Sequence, residues 1–346
     1  MSIIVLKLPE VKTQAERPSR CPACKGEILQ RWGGQIKRVR DPYVSEVLVY
    51  RYFCCRCRHT FRHYPDGVDQ AQQTQRLRQL AGLCWVLGLS YRGIAALLAV
   101  FRISISRMSA SRDAQESARQ LVRRRMWKPV RVLGLDGAYV LGWGEKRPVL
   151  VAVDLGEGQP VNIGYVDEAD PQAVKRWLEP LVKRLGVSVI VTDDLMTYRT
   201  VADQLGLEHQ VCQFHLRRWV GRTLHELQRK LPEDQHPVLA EIKQLINELP
   251  AQGGKRLFDL WKQVPVEKSA PEEPRTPTEQ LRNLLIRLSE HWSSYRIFDW
   301  QPEVPWTNNG SEQVIGRMKV RSRTVRGYKN QSGLLNGLML AGCGVA

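Results

Sequence analysis

The stretch VSVIVTDDLMTYRTVADQLGLEHQVCQFH, residues 187–215, decides the fold class. It opens on VSVIVT, five β-branched residues in six, the pattern of a strand covered on both faces. LMTYRTVADQLG then has the length and composition of a helix, and EHQVCQF that of a second short strand. Strand, helix and strand at this spacing form a parallel crossover. Asp193 closes the first strand and is therefore expected in the crevice at its carboxyl end, where α/β sheets receive ligands. Asp194 directly precedes the helix and is expected to be its N-cap.

Upstream lie three more β-rich runs, VRVLGLDGAYVLGW, PVLVAVDLG and PVNIGYVDE, followed by the amphipathic DPQAVKRWLEPLVKRLG. The order is βββαβαβ, an antiparallel meander joined to parallel crossovers. Asp136 stands at the end of the first run, while Asp154 in the second reads as a turn residue. Downstream, LRRWVGRTLHELQRKL, HPVLAEIKQLINEL and TEQLRNLLIRLSEHW are three candidate helices. The Pro- and Glu-rich VPVEKSAPEEPRTPTE between the last two reads as an exposed loop. Trp292, Trp300 and Trp306 are expected to pack in the core rather than to stack on a base.

Five of the eight cysteines fall within residues 21–57. Cys21 and Cys24 in CPAC, and Cys54 and Cys57 in CCRC, give two C-x2-C pairs separated by 29 residues. That is the spacing of a structural zinc site, and the intervening VSEVLVYRYF suits a zinc ribbon. Cys55 is an alternative to Cys54, and His59 a weaker one. Residues 74–118 then read as helical: a periodic TQRLRQLAGLCWVLG, Ser90 as an N-cap, a break near Phe101 and Arg102, and a Ser/Arg-rich continuation. This is the outline of a helix-turn-helix, with Ser104–Arg112 in the recognition position and Arg107 and Arg112 as candidate DNA contacts.

The chain has 346 residues and carries 52 Lys plus Arg against 35 Asp plus Glu, a net charge of +17. Such a surplus points to a phosphate-rich partner, because each neutralised phosphate releases counterions. The basic residues cluster in RQLVRRRMWKPVR and KVRSRTVRGYK, and neither stretch has the wide apolar face of an interfacial helix. Nucleic acid is preferred over a membrane surface. No apolar run approaches the roughly 18 residues of a membrane span, and MSIIVLKLPEVK is not a secretory signal, so a cytoplasmic location is expected.

The segment PWTNNGSEQVIGRMKVRSR, residues 305–323, presents a single Glu312 three residues after Asn309. That is the spacing of a capping box with Asn309 at the N-cap. At about 100° per residue, however, Glu312, Gly316, Lys319 and Arg323 share one stripe, and Val314, Ile315 and Met318 form a separate apolar face. Gly316 leaves room between acid and base for a phosphate. Glu312 is therefore the better candidate for a third carboxylate beside Asp136 and Asp193, a set suited to magnesium.

Asp136 in LDGAY, Asp193 in VTDDLMTY, Cys212 and His215 in VCQFH, and TNNGSEQVIGRMK together resemble the DDE transposases of bacterial insertion sequences. The nearest likeness is to the Mutator-like type, which has a C-x2-H between the second Asp and the Glu. The likeness spans roughly 130–335, with 57 residues from Asp136 to Asp193 and 119 from there to Glu312. It implies an α/β chain whose RNase H-like catalytic core carries an all-α insertion, preceded by the zinc ribbon and the helix-turn-helix. The corresponding domains are 1–68 (ribbon), 69–128 (helix-turn-helix), 129–215 (core), 216–304 (insertion) and 305–346 (C-terminal core helix).

The resemblance further implies phosphodiester hydrolysis at element ends followed by strand transfer, with two magnesium (or manganese) ions held by Asp136, Asp193 and Glu312. One structural zinc would sit in the ribbon. Lys319 matches the basic residue that such enzymes use to hold DNA, and Arg321, Arg323, Arg326, Arg217 and Arg218 are further candidate contacts. Cys212, His215, Asn308 and Asn309 are expected near the active site; C-x2-H offers only two zinc ligands, so His215 is a candidate to orient a phosphate or Asp193. The partners implied are double-stranded DNA and at least one further copy of the chain, on the nucleoid. The rival readings are a catalytically silent DNA-binding descendant of a transposase and an RNase H-like nuclease without strand transfer.

Overall fold

A computed structural model of the chain describes residues 8–125, 128–267, 272, 274–325 and 328–343. They divide into two compact units, one holding 128–140 and 146–316, the other 8–125, 141–145 and 317–343.

The first unit is built on a five-stranded sheet. Its strands are β4 (Val132–Gly142), β5 (Glu145–Asp154), β6 (Gln159–Gly164), β7 (Val189–Thr192) and β8 (Glu208–Val211). They lie in the order β6-β5-β4-β7-β8, with β5 and β6 antiparallel and β4, β7 and β8 parallel. Helix α4 (Pro171–Leu185) enters β7 and α5 (Met196–Leu205) enters β8, so the expected βββαβαβ order is the observed one.

Each connection has a local cause. The Asp170 side chain accepts from the Gln172 and Ala173 amides, at 2.9 and 3.1 Å, and starts α4. Gly186 at φ +73° and Gly206 at φ +65° end α4 and α5 in the left-handed conformation that suits glycine. Val174, Leu178, Leu181 and Leu185 of α4 pack with Leu133, Leu135, Leu150 and Ile190 of the sheet. Val132, Val189 and Val191 pack on the opposite face with Ile297 and Val304. Each such fully buried aliphatic side chain contributes about 2 kcal/mol of transfer free energy.

After β8 come α6 (Gln213–Gln228), α7 (His236–Glu248), α8 (Gly253–Gln263) and α9 (Pro277–Glu290), which enclose their own apolar core. Helix α8 was not among the three expected. It begins on Gly253 and Gly254 because the Trp292 ring occupies the space that side chains there would fill. Trp292 is buried, as expected, and its Nε1 donates to the Pro250 carbonyl at 2.9 Å. Trp300 and Trp306 are exposed, contrary to the core placement expected of them.

The second unit contains an antiparallel sheet of β1 (Leu29–Arg38), β2 (Glu46–Cys54) and β3 (Thr60–His63). It also contains α1 (Gln75–Val86), α2 (Tyr91–Val100), α3 (Arg107–Arg125) and α11 (Gln331–Gly342). Ser90 caps α2 by accepting from the Gly93 amide at 3.0 Å, and Arg102 at φ +59° marks the expected break. The following helix differs from the expected Ser104–Arg112: it starts at Arg107 and runs to Arg125. Ser106 sets that start, its Oγ accepting from the Ser109 amide at 3.1 Å. Buried Ala110, Ala114 and Ala118 then extend the packed face beyond Arg112. A side chain at Gly82 of α1 would stand 2.9 Å from Ser117 Oγ of α3, so a larger residue at this crossing would force Ser117 to shift. Helix α10 (Asn309–Thr324) closes the order before α11.

Candidate active site

Asp136 lies in the middle of β4 rather than at the end of a strand, half-buried at its fifth residue. Asp193 follows the last residue of β7, in the expected place. Glu312 lies in the first turn of α10. That turn seats on β4 at Gly134, where a Cβ would lie 2.4 Å from Ser311 Oγ and 2.6 Å from Asn308 Oδ1. The buried Asn308 fixes the seat, its Nδ2 donating to the Leu135 carbonyl at 2.8 Å. The cap belongs to Asn308 and not to Asn309, because the Asn308 carbonyl accepts from the Glu312 amide at 3.2 Å. Glu312 does not close a capping box; its Oε1 stands 3.8 Å from His215 Nε2.

The charges of Asp193 and Glu312 act on Asp136, and that of a fourth carboxylate joins them. Glu168, in the loop between β6 and α4, accepts a hydrogen bond from Tyr198 Oη at 2.8 Å. Its carboxylate fills the space beside Gly137, where a Cβ would lie 2.3 Å from its carboxyl carbon. Sequence reading missed Glu168, and the nearest sequence signal was the glycine directly after Asp136.

Burial raises the Asp136 carboxyl to about 7, with Glu168, Asp193 and Glu312 adding to the effect and His215 opposing it. Asp193 is raised to about 6, by burial first and then by Glu168. Asp193 Oδ1 and Glu312 Oε1 are buried without a hydrogen-bond partner among the described residues. Clustered carboxylates with orphaned oxygens suit a hard divalent cation such as magnesium.

Asp194 is not an N-cap. Leu195 holds that position without a side-chain bond. Asp194 instead pairs with Arg199, and its Oδ2 accepts from Arg287 Nη2 at 2.8 Å. Both of its oxygens are thereby taken, whereas Asp193 accepts from the Leu195 backbone and keeps Oδ1 without a partner among the described residues.

Cys212 is the N-cap residue of α6, with His215 in the first turn. Burial would raise the Cys212 thiol, but hydrogen bonds from His215 and the Asn308 amide outweigh it and hold the thiol below its ordinary value. Cys212 Sγ, a ring nitrogen of His215 and a Glu312 oxygen all lie within 4.8 Å of one another.

The four cysteines of the first unit's counterpart, Cys21, Cys24, Cys54 and Cys57, also lie within 4.8 Å of one another and are consistent with a structural zinc. Lys25 at φ +61° and Arg58 at φ +59° each follow the second cysteine of a pair, so both knuckles turn alike. Cys55 is outside this cluster, and His59 stacks on Phe61 instead.

Of the basic candidates, Lys319, Arg323, Arg218, Arg107 and Arg112 are exposed. Arg217 is exposed and donates to the Asn247 carbonyl at 3.1 Å. Arg321 is not a DNA contact: it is buried over the Trp85 ring and donates to the carbonyls of Gly88 and Leu89 at 3.2 and 2.9 Å. Arg326 lies outside the described residues.

Among the described residues no helix is long and apolar enough to cross a membrane. Among curated proteins, none matches the chain. Residues 170–335 match the family described as Transposase IS66 family; the Mutator-like type is not what the match shows. The matched stretch takes in Asp193, Cys212, His215 and Glu312, and over it the chain is similar to the DDE transposases of insertion sequences.

Proposed function

We propose that the chain binds the ends of its element and catalyses metal-dependent phosphodiester hydrolysis followed by strand transfer. The observation that carries this reading is that Asp136, Asp193 and Glu312, drawn from three distant parts of the chain, come close enough for the other two charges to act on Asp136, with Asp193 Oδ1 buried and without a partner among the described residues. The strand order β6-β5-β4-β7-β8, with its antiparallel and parallel halves, supports an RNase H-like core at 129–215 and 305–346. The helical residues 216–304 are read as its insertion, and residues 1–128 as the DNA-end-recognition part, with a zinc-bearing ribbon and a helix-turn-helix.

Asp136, Asp193 and Glu312 would hold two magnesium or manganese ions, which supply charge neutralisation at the phosphate and a more acidic attacking oxygen. The chain's own part is positioning. Asn308 fixes the helix that bears Glu312, Tyr198 fixes Glu168, and Arg199 with Arg287 hold Asp194 away from the cluster. In the first step water attacks phosphorus and the P–O3′ bond breaks, freeing a 3′-hydroxyl. In the second that oxygen attacks a target phosphodiester and displaces its 3′-oxygen. Exposed Arg107, Arg112, Arg217, Arg218, Lys319 and Arg323 are the proposed phosphate contacts on double-stranded DNA. The proposal includes action as at least a dimer on the nucleoid, in the cytoplasm.

The test is cleavage and strand transfer on the element's own terminal repeats with magnesium. Asp136→Ala, Asp193→Ala and Glu312→Ala should each abolish both steps while DNA binding persists. Retained activity in any one removes that residue from the site. Binding without cleavage by the unaltered chain would favour a silent DNA-binding descendant.

A further inference from the structure

We propose that Cys212, His215 and Glu312 bind one zinc ion, distinct from the ion of the four-cysteine ribbon. Sequence spacing offers only Cys212 and His215, which is too few for a site. The fold supplies a third donor 97 residues after His215. The thiol sulfur, an imidazole nitrogen and a carboxylate oxygen lie within 4.8 Å of one another, and His215 Nε2 is 3.8 Å from Glu312 Oε1. Donors around one tetrahedral ion are separated by that order of distance, since zinc binds sulfur at about 2.3 Å and nitrogen or oxygen at about 2.0–2.2 Å.

Two further observations point to a ligand. Glu312 Oε1 is buried without a hydrogen-bond partner among the described residues, and 3.8 Å is too long for a hydrogen bond to His215. The Asn308 amide donates to Cys212 Sγ at 3.3 Å, the kind of outer contact that steadies a metal-bound thiolate.

The donor set selects the metal. Thiolate and imidazole suit zinc, whereas magnesium takes oxygen ligands. Three protein ligands leave a fourth position open, unlike the closed four-cysteine ribbon. The ion would join the first turn of α6 to the first turn of α10 and so restrain the Glu312 side chain. A carboxylate has two oxygens, so Glu312 can serve this site and the acidic cluster together. The inference does not depend on DNA cleavage.

The experiment counts zinc in the purified full-length chain by mass spectrometry after gel filtration, beside Cys212→Ser, His215→Ala and Glu312→Gln. The unaltered chain should hold one more zinc than Cys212→Ser or His215→Ala. Glu312→Gln, at a half-exposed position that tolerates the change, should release that zinc to a competing chelator at least tenfold more readily. Equal zinc counts in all four proteins, with unchanged circular dichroism, would overturn the proposal. So would unchanged chelator competition in Glu312→Gln. Neither result bears on whether the unaltered chain cleaves DNA with magnesium, so the two readings fail separately.

Discussion

Gly137 stands against the carboxylate of Glu168 so closely that any side chain there would collide with it, at 2.3 Å from the carboxyl carbon. The glycine follows Asp136 in β4, so close approach of the two acids depends on a missing Cβ. Gly137→Ala should therefore displace Glu168 and reduce magnesium-dependent cleavage at least tenfold. The double variant Gly137→Ala/Glu168→Ala should be no worse than Glu168→Ala alone, since the clash is then gone. Initial cleavage rates across a magnesium titration test this, and additive losses would count against it.

Asp193 and Asp194 are neighbours with opposite energetics. Asp194 and Arg199 are nearly inaccessible, with side-chain exposures of 9% and 6%. Asp194→Ala leaves a buried guanidinium without its partner and should cost about 3–5 kcal/mol of folding stability. Asp193→Asn removes repulsion and should leave stability unchanged or raised while abolishing cleavage. Denaturant unfolding of the two variants side by side provides the comparison.

Asp136 and Asp193 titrate near 7 and 6 in the fold, above the ordinary carboxyl value of 3.8. A raised folded-state value means stability that is complete below about pH 4 and lost as pH rises through 6 and 7. The metal-free protein should thus lose several degrees of melting temperature over that window relative to Asp136→Asn. Magnesium should restore most of the difference at pH 7.5. Calorimetry at several pH values is the measurement, and parallel curves for the two proteins would contradict the assignment.

Two basic residues of one helix should behave differently. Arg321→Ala removes donors from the Gly88 and Leu89 carbonyls and should destabilise the chain by about 2–3 kcal/mol. Lys319→Ala should leave unfolding unchanged but weaken DNA binding and reduce the salt slope by about one. Unfolding curves and binding isotherms at several salt concentrations separate the two roles.

The strand-helix-strand unit at 187–215 was legible because its periodicity is clean and its turns end on glycine. Asp193 and Glu312 were legible for a similar reason, each standing at a strand end or in a helix's first turn. Glu168 was not, because it sits in an irregular loop beside Asp167 and Asp170, where nothing local separates a site residue from a solvated acid. Arg321 misled for the opposite reason: KVRSR looks uniformly exposed until tertiary packing places one of its arginines over Trp85. Helix α8 was hidden by the two glycines that make room for Trp292.

Asn308 bonds to Leu135 across 173 positions of the chain and to Cys212 across 96. Synthesis therefore delivers the first two aspartates long before the segment that completes the centre. A nascent chain carries Asp136 and Asp193 through the making of the whole helical stretch without Glu312 beside them. The acidic cluster cannot come into being until that stretch has been made, so its members meet late relative to the first two aspartates.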